Sequence, residues 1–150
     1  MKQSPDMQKL EQMLRSSVLV VGGFMGDDPR PVSEIIDEDA ATLARLGVTA
    51  KQVAARMQEI TDAAIKGLGN WVIVDAGREA MVEEARGAIF CPWSDARHFR
   101  KRVTIVKFAP SGKQVQWSDL NIHLIGMHTF FEGRGSCFRI EPAELVTFLF

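Results

Sequence analysis

Residues 103–131 constrain the fold of this chain most, because two β-rich runs and a helix start follow one another there with almost no linker. Residues 103–108 and 113–117 flank Ala109-Pro110-Ser111-Gly112, where proline and glycine supply the backbone angles of a tight turn. Ser118 and Asp119 then offer side-chain oxygens to the orphan amides of a helix predicted over residues 119–131. At about 100° per residue, Leu120, Leu124, Met127 and Phe131 share one stripe with Phe130 beside it, a face that belongs in a core. Gly133 is placed to end this helix in a left-handed conformation.

Other helices precede this unit. Ser4 and Pro5 make a cap and first-turn pair, and Met7, Leu10 and Leu14 recur at helical spacing, so residues 5–16 form a short amphipathic helix. Alone such a helix is marginal, so it must dock on the body of the domain or on a second copy in a homodimer. Residues 33–46 read as a helix ended by Gly47. Thr49-Ala50-Lys51-Gln52 is a capping box that starts another, with Val53, Met57, Ile60, Ala64 and Leu68 on its apolar stripe.

Between and after these helices lie the strands. Residues 18–24 read as a buried strand ending in glycines, but Gly22, Gly23 and Gly26 lack dinucleotide-binding spacing. Asp27 and Asp28 also place acid where a phosphate would sit. Residues 71–74 form a short strand. Residues 78–86 contain strong helix formers, yet the turn signal Asp75-Ala76-Gly77 favours a strand pair there, with Gly87 as a bulge. Residues 138–140 are expected to add a last strand, and Glu141-Pro142 to open a C-terminal helix burying Leu145, Phe148 and Leu149. Helices first, then adjacent strands with one crossing helix, specify an α+β fold: an antiparallel sheet of about four or five strands packed by helices, with a helix-rich N-terminal half.

One hundred and fifty residues, 46% of them hydrophobic and 25% charged, suit a single domain over residues 1–150 with an adequate core. Eighteen basic and nineteen acidic side chains leave a net charge of -1, which gives no global footprint for nucleic acid. Acidic residues crowd positions 27–39 and basic ones positions 97–102, two runs that can meet within the chain or across a dimer. Cys91 and Cys137 are the only cysteines, too few for a disulfide framework, so reduced thiols and a cytoplasmic location are expected. The longest apolar run, residues 18–26, is too short to cross a bilayer, and Asp6 and Glu11 upstream of it do not fit a signal peptide.

The densest polar chemistry follows the 119–131 helix. Gly133-x-Gly135 with Glu132, Arg134, Ser136 and Arg139 presents backbone amides, a hydroxyl and two guanidinium groups, a combination that suits a small anionic ligand such as a carboxylate or phosphate. His128, one turn before Glu132, is positioned to pair with it, and Cys91 at a strand end is the thiol that His98, His123 or His128 would activate. The ligand-binding set is therefore His128, Glu132, Arg134, Ser136, Arg139 and Cys91. Sequence specifies neither catalytic residues nor a cofactor. No metal set is read, because Cys91, His98, His123, His128 and Cys137 follow no paired-ligand spacing, and His123 and His128 lie on opposite flanks of one helix.

Two readings from other classes compete. Residues 40–60 resemble a helix-turn-helix, with Leu46, Gly47, Val48 and Val53 at its turn and core positions, although Leu43 stands where a small residue belongs. That resemblance implies DNA binding through Lys51, Gln52 and Arg56, helped by the 97–102 cluster. So few base-reading side chains beside an acidic run rank nucleic acid below the small ligand. In the third reading the chain is an interaction protein and every feature above is structural.

Overall fold

The computed structural model describes residues 4–17, 23–93, 95 and 97–150. Its elements are α1 (Pro5–Arg15), α2 (Val32–Leu46), α3 (Ala50–Ile65), β1 (Val72–Ile73), β2 (Arg78–Phe90), β3 (His98–Phe108), β4 (Lys113–Ser118), α4 (Asp119–His128) and α5 (Pro142–Leu149). The strands form one antiparallel meander in the order β1-β2-β3-β4. The α+β architecture and the helix-rich N-terminal half are thus as expected, including the strand at residues 78–86. The β2–β3 register shifts between Ala85 and Ala88, where Gly87 takes φ 101, a conformation that side-chain-bearing residues rarely adopt.

Local chemistry sets most helix starts. Ser4 accepts from the Met7 amide at 3.2 Å, and Glu11 of α1 accepts from the Val32 amide at 2.7 Å, covering the first turn of α2. Thr49 and Gln52 form the anticipated reciprocal box on α3, and Ser118 and Asn121 form another on α4. Gly47 ends α2 at φ 72.

Two apolar clusters share α4. In the first, Val53, Met57, Ile60 and Ala64 of α3 pack on Ala80, Val82, Val106 and Trp117 of the sheet, with Ile122 and Ile125 of α4 and Leu145, Phe148 and Leu149 of α5. The second joins Leu14 of α1, Phe24, Met25, Val32 and Ile35 to Cys91, Leu120, Leu124 and Phe130. α1 therefore docks on its own chain. Because α4 runs between the clusters, residues 120–125 are buried on every side, and a one-sided stripe is the wrong description of it.

Four expectations need correction. α4 stops at His128, with Thr129 rather than Gly133 in the left-handed position at φ 52, so Met127 is 63% exposed and Phe131 packs from beyond the helix. Gly133 serves close approach instead, since a Cβ there would collide with the Met25 backbone. α3 ends at Ile65, leaving Leu68 off its stripe and 89% exposed. Residues 138–140 form no strand. The strand expected over 18–24 falls largely outside the described residues, and its described end, Gly23 and Phe24, lies in a turn. No helix among the described residues is long and apolar enough to cross a membrane.

Candidate metal centre

Three pieces of chain converge below Trp93. β2 delivers Cys91 just past its end, and the Cys91 amide donates to the Arg97 carbonyl at 3.0 Å, closing the intervening loop. Within that loop Asp95 Oδ1 accepts from the Arg97 amide at 3.1 Å, which turns Oδ2 toward α4. There Oδ2 meets His123 Nε2 at 2.8 Å and His128 Nε2 at 3.2 Å, while Cys91 Sγ lies 3.5 Å from His128 Nε2. One donor atom from each of the four side chains falls within 4.8 Å of every other. Aromatic rings hold the imidazoles: Trp93 stacks on His128 with centroids 4.3 Å apart, Phe130 packs edge-on against Trp93, and Phe99 lies 4.7 Å from the His123 ring.

The electrostatics suit a cation. Burial raises the Asp95 carboxyl, but the Arg97 amide, both imidazoles and the Cys91 thiol outweigh it and hold Asp95 well below the usual carboxylate range. Burial lowers His128 and His123 adds to that, against an opposing pull from Asp95, so the imidazole favours its neutral, ligating form. Burial, seconded by Asp95, pushes the Cys91 thiol up to about 11 despite the Trp93 amide. A thiol raised in this way would act as a nucleophile only with help from an adjacent base. A triad base would use one ring nitrogen for the thiol and the other for the acid. Here both contacts of His128 fall on Nε2.

Sequence reasoning missed Asp95 and separated the two histidines. Five residues apart on a helix, their Cα positions do point apart, but each imidazole reaches well beyond its Cβ. His128 is moreover the last helical residue, and the rings close to 5.3 Å around a carboxylate supplied by another segment. His98 packs edge-on against Phe90 instead, and Cys137 is exposed. Both cysteines are free.

The sequence-predicted ligand set divides. Cys91 and His128 belong to the convergent cluster, whereas Glu132, Arg134, Ser136 and Arg139 gather on the other loop. Glu132, at φ 68, accepts from the Asn121 amide group and from Ser136 Oγ at 2.5 Å, and does not pair with His128. The oxyanions that meet the glycine turn belong to the chain itself. Asp28 Oδ2 accepts from the Arg134 amide at 3.0 Å, and Arg139 is held by Asp39 at 2.5 and 3.0 Å and by Glu141 at 3.1 Å. The segment around Gly26 lies so close to this turn that a Cβ on Gly26 would strike the backbone of residues 134–136.

On the proposed DNA-reading face, Gln52 and Arg56 are similarly occupied, while Lys51 is exposed. Gln52 caps its own helix, and Arg56 donates to the Leu149 carbonyl, Glu59 and Asp75. Members of the two charge runs pair elsewhere and not with each other: Arg102 pairs with Glu84 and Asp119, while Asp28 and Glu38 pair with Arg30. No family model, curated protein or solved structure compared with this chain matches it.

Proposed function

We propose that this protein binds one zinc-class transition-metal ion through Cys91 Sγ, Asp95 Oδ2, His123 Nε2 and His128 Nε2. The observation that supports this reading is the convergence of four donors of metal-binding type within 4.8 Å of one another. Tetrahedral zinc, with bonds of about 2.0–2.3 Å, keeps its donors roughly 3.3–3.8 Å apart. The widest pair would close by about 1 Å to reach that range, and the 2.8 Å contact of His123 with Asp95 would open slightly. One sulfur, two imidazole nitrogens and one carboxylate oxygen suit a borderline-soft ion, not calcium or magnesium, which prefer oxygen alone. A cation at the shared point also reverses the local cost of a thiolate at Cys91.

Four protein donors make a closed site, as in structural or regulatory zinc centres. Asp95 has the most exposed of the four side chains, at 28%, so it is the ligand that solvent or an exogenous ligand displaces first. The thiol ligand also supports placing the protein in a reducing, cytoplasmic setting.

Elemental analysis together with native mass spectrometry tests the proposal. One equivalent of zinc is expected on the wild type. Cobalt substitution should give the thiolate-to-metal charge-transfer band and the intense visible bands of a tetrahedral site, with the former lost in Cys91→Ser. Losing a ligand should weaken binding by at least the roughly 10–100-fold that loss of an outer partner costs. Metal at background level after exposure to zinc, or cobalt spectra unchanged in both Cys91→Ser and His123→Ala, would overturn it.

A further inference from the structure

A cavity of about 380 Å³ opens beside the start of α4, between the bulged β2–β3 ribbon and the loop after Phe131. Its size lies in the lower range of small-molecule sites, roughly 300–1,000 Å³. None of the four proposed metal donors lines it, so it stands apart from that centre. Its walls are apolar, chiefly Phe24, Ile89, Val103, Leu120 and Phe138.

Charge is confined to two places. Deep in the cavity, Glu132 is 3% exposed and already receives hydrogen bonds from Asn121 and Ser136 at its two oxygens, so it needs no cationic ligand to be satisfied. Burial outweighs those bonds and raises its carboxyl to about 7, which lowers the cost of setting an apolar group beside it. At the other end stand Arg100, Lys101 and Arg102. Arg102 is committed to Glu84 at 2.8 Å and Asp119 at 3.2 Å. Arg100 shares the strand face of Arg102 and lies beside Glu84 at 3.9 Å. Lys101 projects from the other face with its cross-strand partner Ala85 and with Val103, both of which line the cavity, and it makes no ion pair among the described residues. An apolar chamber with a near-neutral floor and one under-used cation at its edge complements a molecule with an apolar body and one anionic head.

We propose that the cavity binds a small organic carboxylate with an alkyl or aryl body, its head at Lys101 and its body against Phe24, Ile89, Leu120 and Phe138. This inference is independent of the metal centre. An amine of the same shape would face the repulsion of that cation, and an alcohol would gain nothing from it.

Octanoate, octanol and octylamine share a chain and differ in head group, and calorimetric titration of the full-length protein with each separates the possibilities. Octanoate should bind saturably and tightest, octanol more weakly and octylamine weakest. Charge reversal at that cation (K101E) should weaken octanoate by about fivefold, the scale of one exposed ion pair, and leave octanol unchanged. Ala85→Trp, which fills the cavity from an exposed position, should abolish binding of all three. Cys137 lines the cavity, so octanoate should also slow its alkylation. If the charge-reversed chain does not fold, Lys101→Gln takes its place. Absence of saturable octanoate binding, octylamine binding as tightly as octanoate, or indifference to the loss of the Lys101 charge would each overturn the proposal.

Discussion

Glu132 is the side chain whose ionisation this fold tolerates least. Burial outweighs the hydrogen bonds from Ser136 and Asn121 and lifts its carboxyl from 4.5 to about 7. Between those values the native state holds a proton that the unfolded chain has released, so stability falls as pH rises through that window. The full penalty, on the order of 3 kcal/mol, is present above it. Glu132→Gln removes the ionisation while keeping an acceptor for one neighbour and a donor for the Ser136 oxygen. Urea unfolding at pH 5 and at pH 8 should show the wild type losing roughly 2–3 kcal/mol more than the variant. Equal losses would acquit Glu132. Arg139 poses the opposite case, a buried cation already paired. Its loss strands Asp39, itself 4% exposed, and Arg139→Ala should cost about 3–5 kcal/mol. A variant within about 1 kcal/mol of wild type would mean that the pair contributes little. Both residues stood out in the sequence as chemistry-bearing. Their partners did not, because Asp39 lies 100 residues from Arg139 and no local pattern links them.

Elements lock together through one buried polar chain as well as through apolar packing. Trp117 Nε1 of β4 donates to Thr61 Oγ1 of α3 at 2.9 Å, and Thr61 Oγ1 lies 2.6 Å from Thr104 Oγ1 of β3. Thr61→Val leaves the indole N–H buried without an acceptor, a cost of about 1–3 kcal/mol. Thr104→Val leaves that bond intact and should cost clearly less, so the order of the two in denaturant unfolding checks that Thr61 carries the link to the indole. Features such as the Thr49 capping box, the proline-glycine turn and the Gly87 bulge were legible in the sequence because each is decided within about four residues. The end of α4 was not. Thr129 takes the left-handed position while Gly133 is reserved for contact with Met25, a choice made by a segment more than 100 residues upstream. Residues 138–140 carry strand-forming side chains, but Arg139 is drawn to Asp39 and Glu132 and no strand forms. Tertiary contacts override propensity at both places.

Across the whole molecule, the proposed metal centre would act as a clip. It would join the end of β2, the loop carrying Asp95 and both halves of α4, elements whose ligands span 37 residues from Cys91 to His128. Cys91 and the histidines were visible in the sequence as candidate donors, but Asp95 was one acid among nineteen. Only folding brings its carboxylate to the point where the imidazoles meet. Because the unfolded chain holds no such constellation, metal binding should appear directly as stability, about 2.7 kcal/mol at a free metal concentration one hundred times Kd. In a domain of this length each kcal/mol moves Tm by about 2–4 °C, so zinc should raise Tm by roughly 5–10 °C and a chelator should reverse the rise. The Cys91→Ser and His123→Ala proteins should melt at a temperature that zinc barely changes. A protein carrying Cys137→Ser and His98→Ala, which removes the remaining thiol and imidazole, should keep the full response. If that control loses the response, or if the two ligand variants retain it, the stabilising metal sits elsewhere and the clip between β2 and α4 is held by hydrogen bonds and aromatic packing alone.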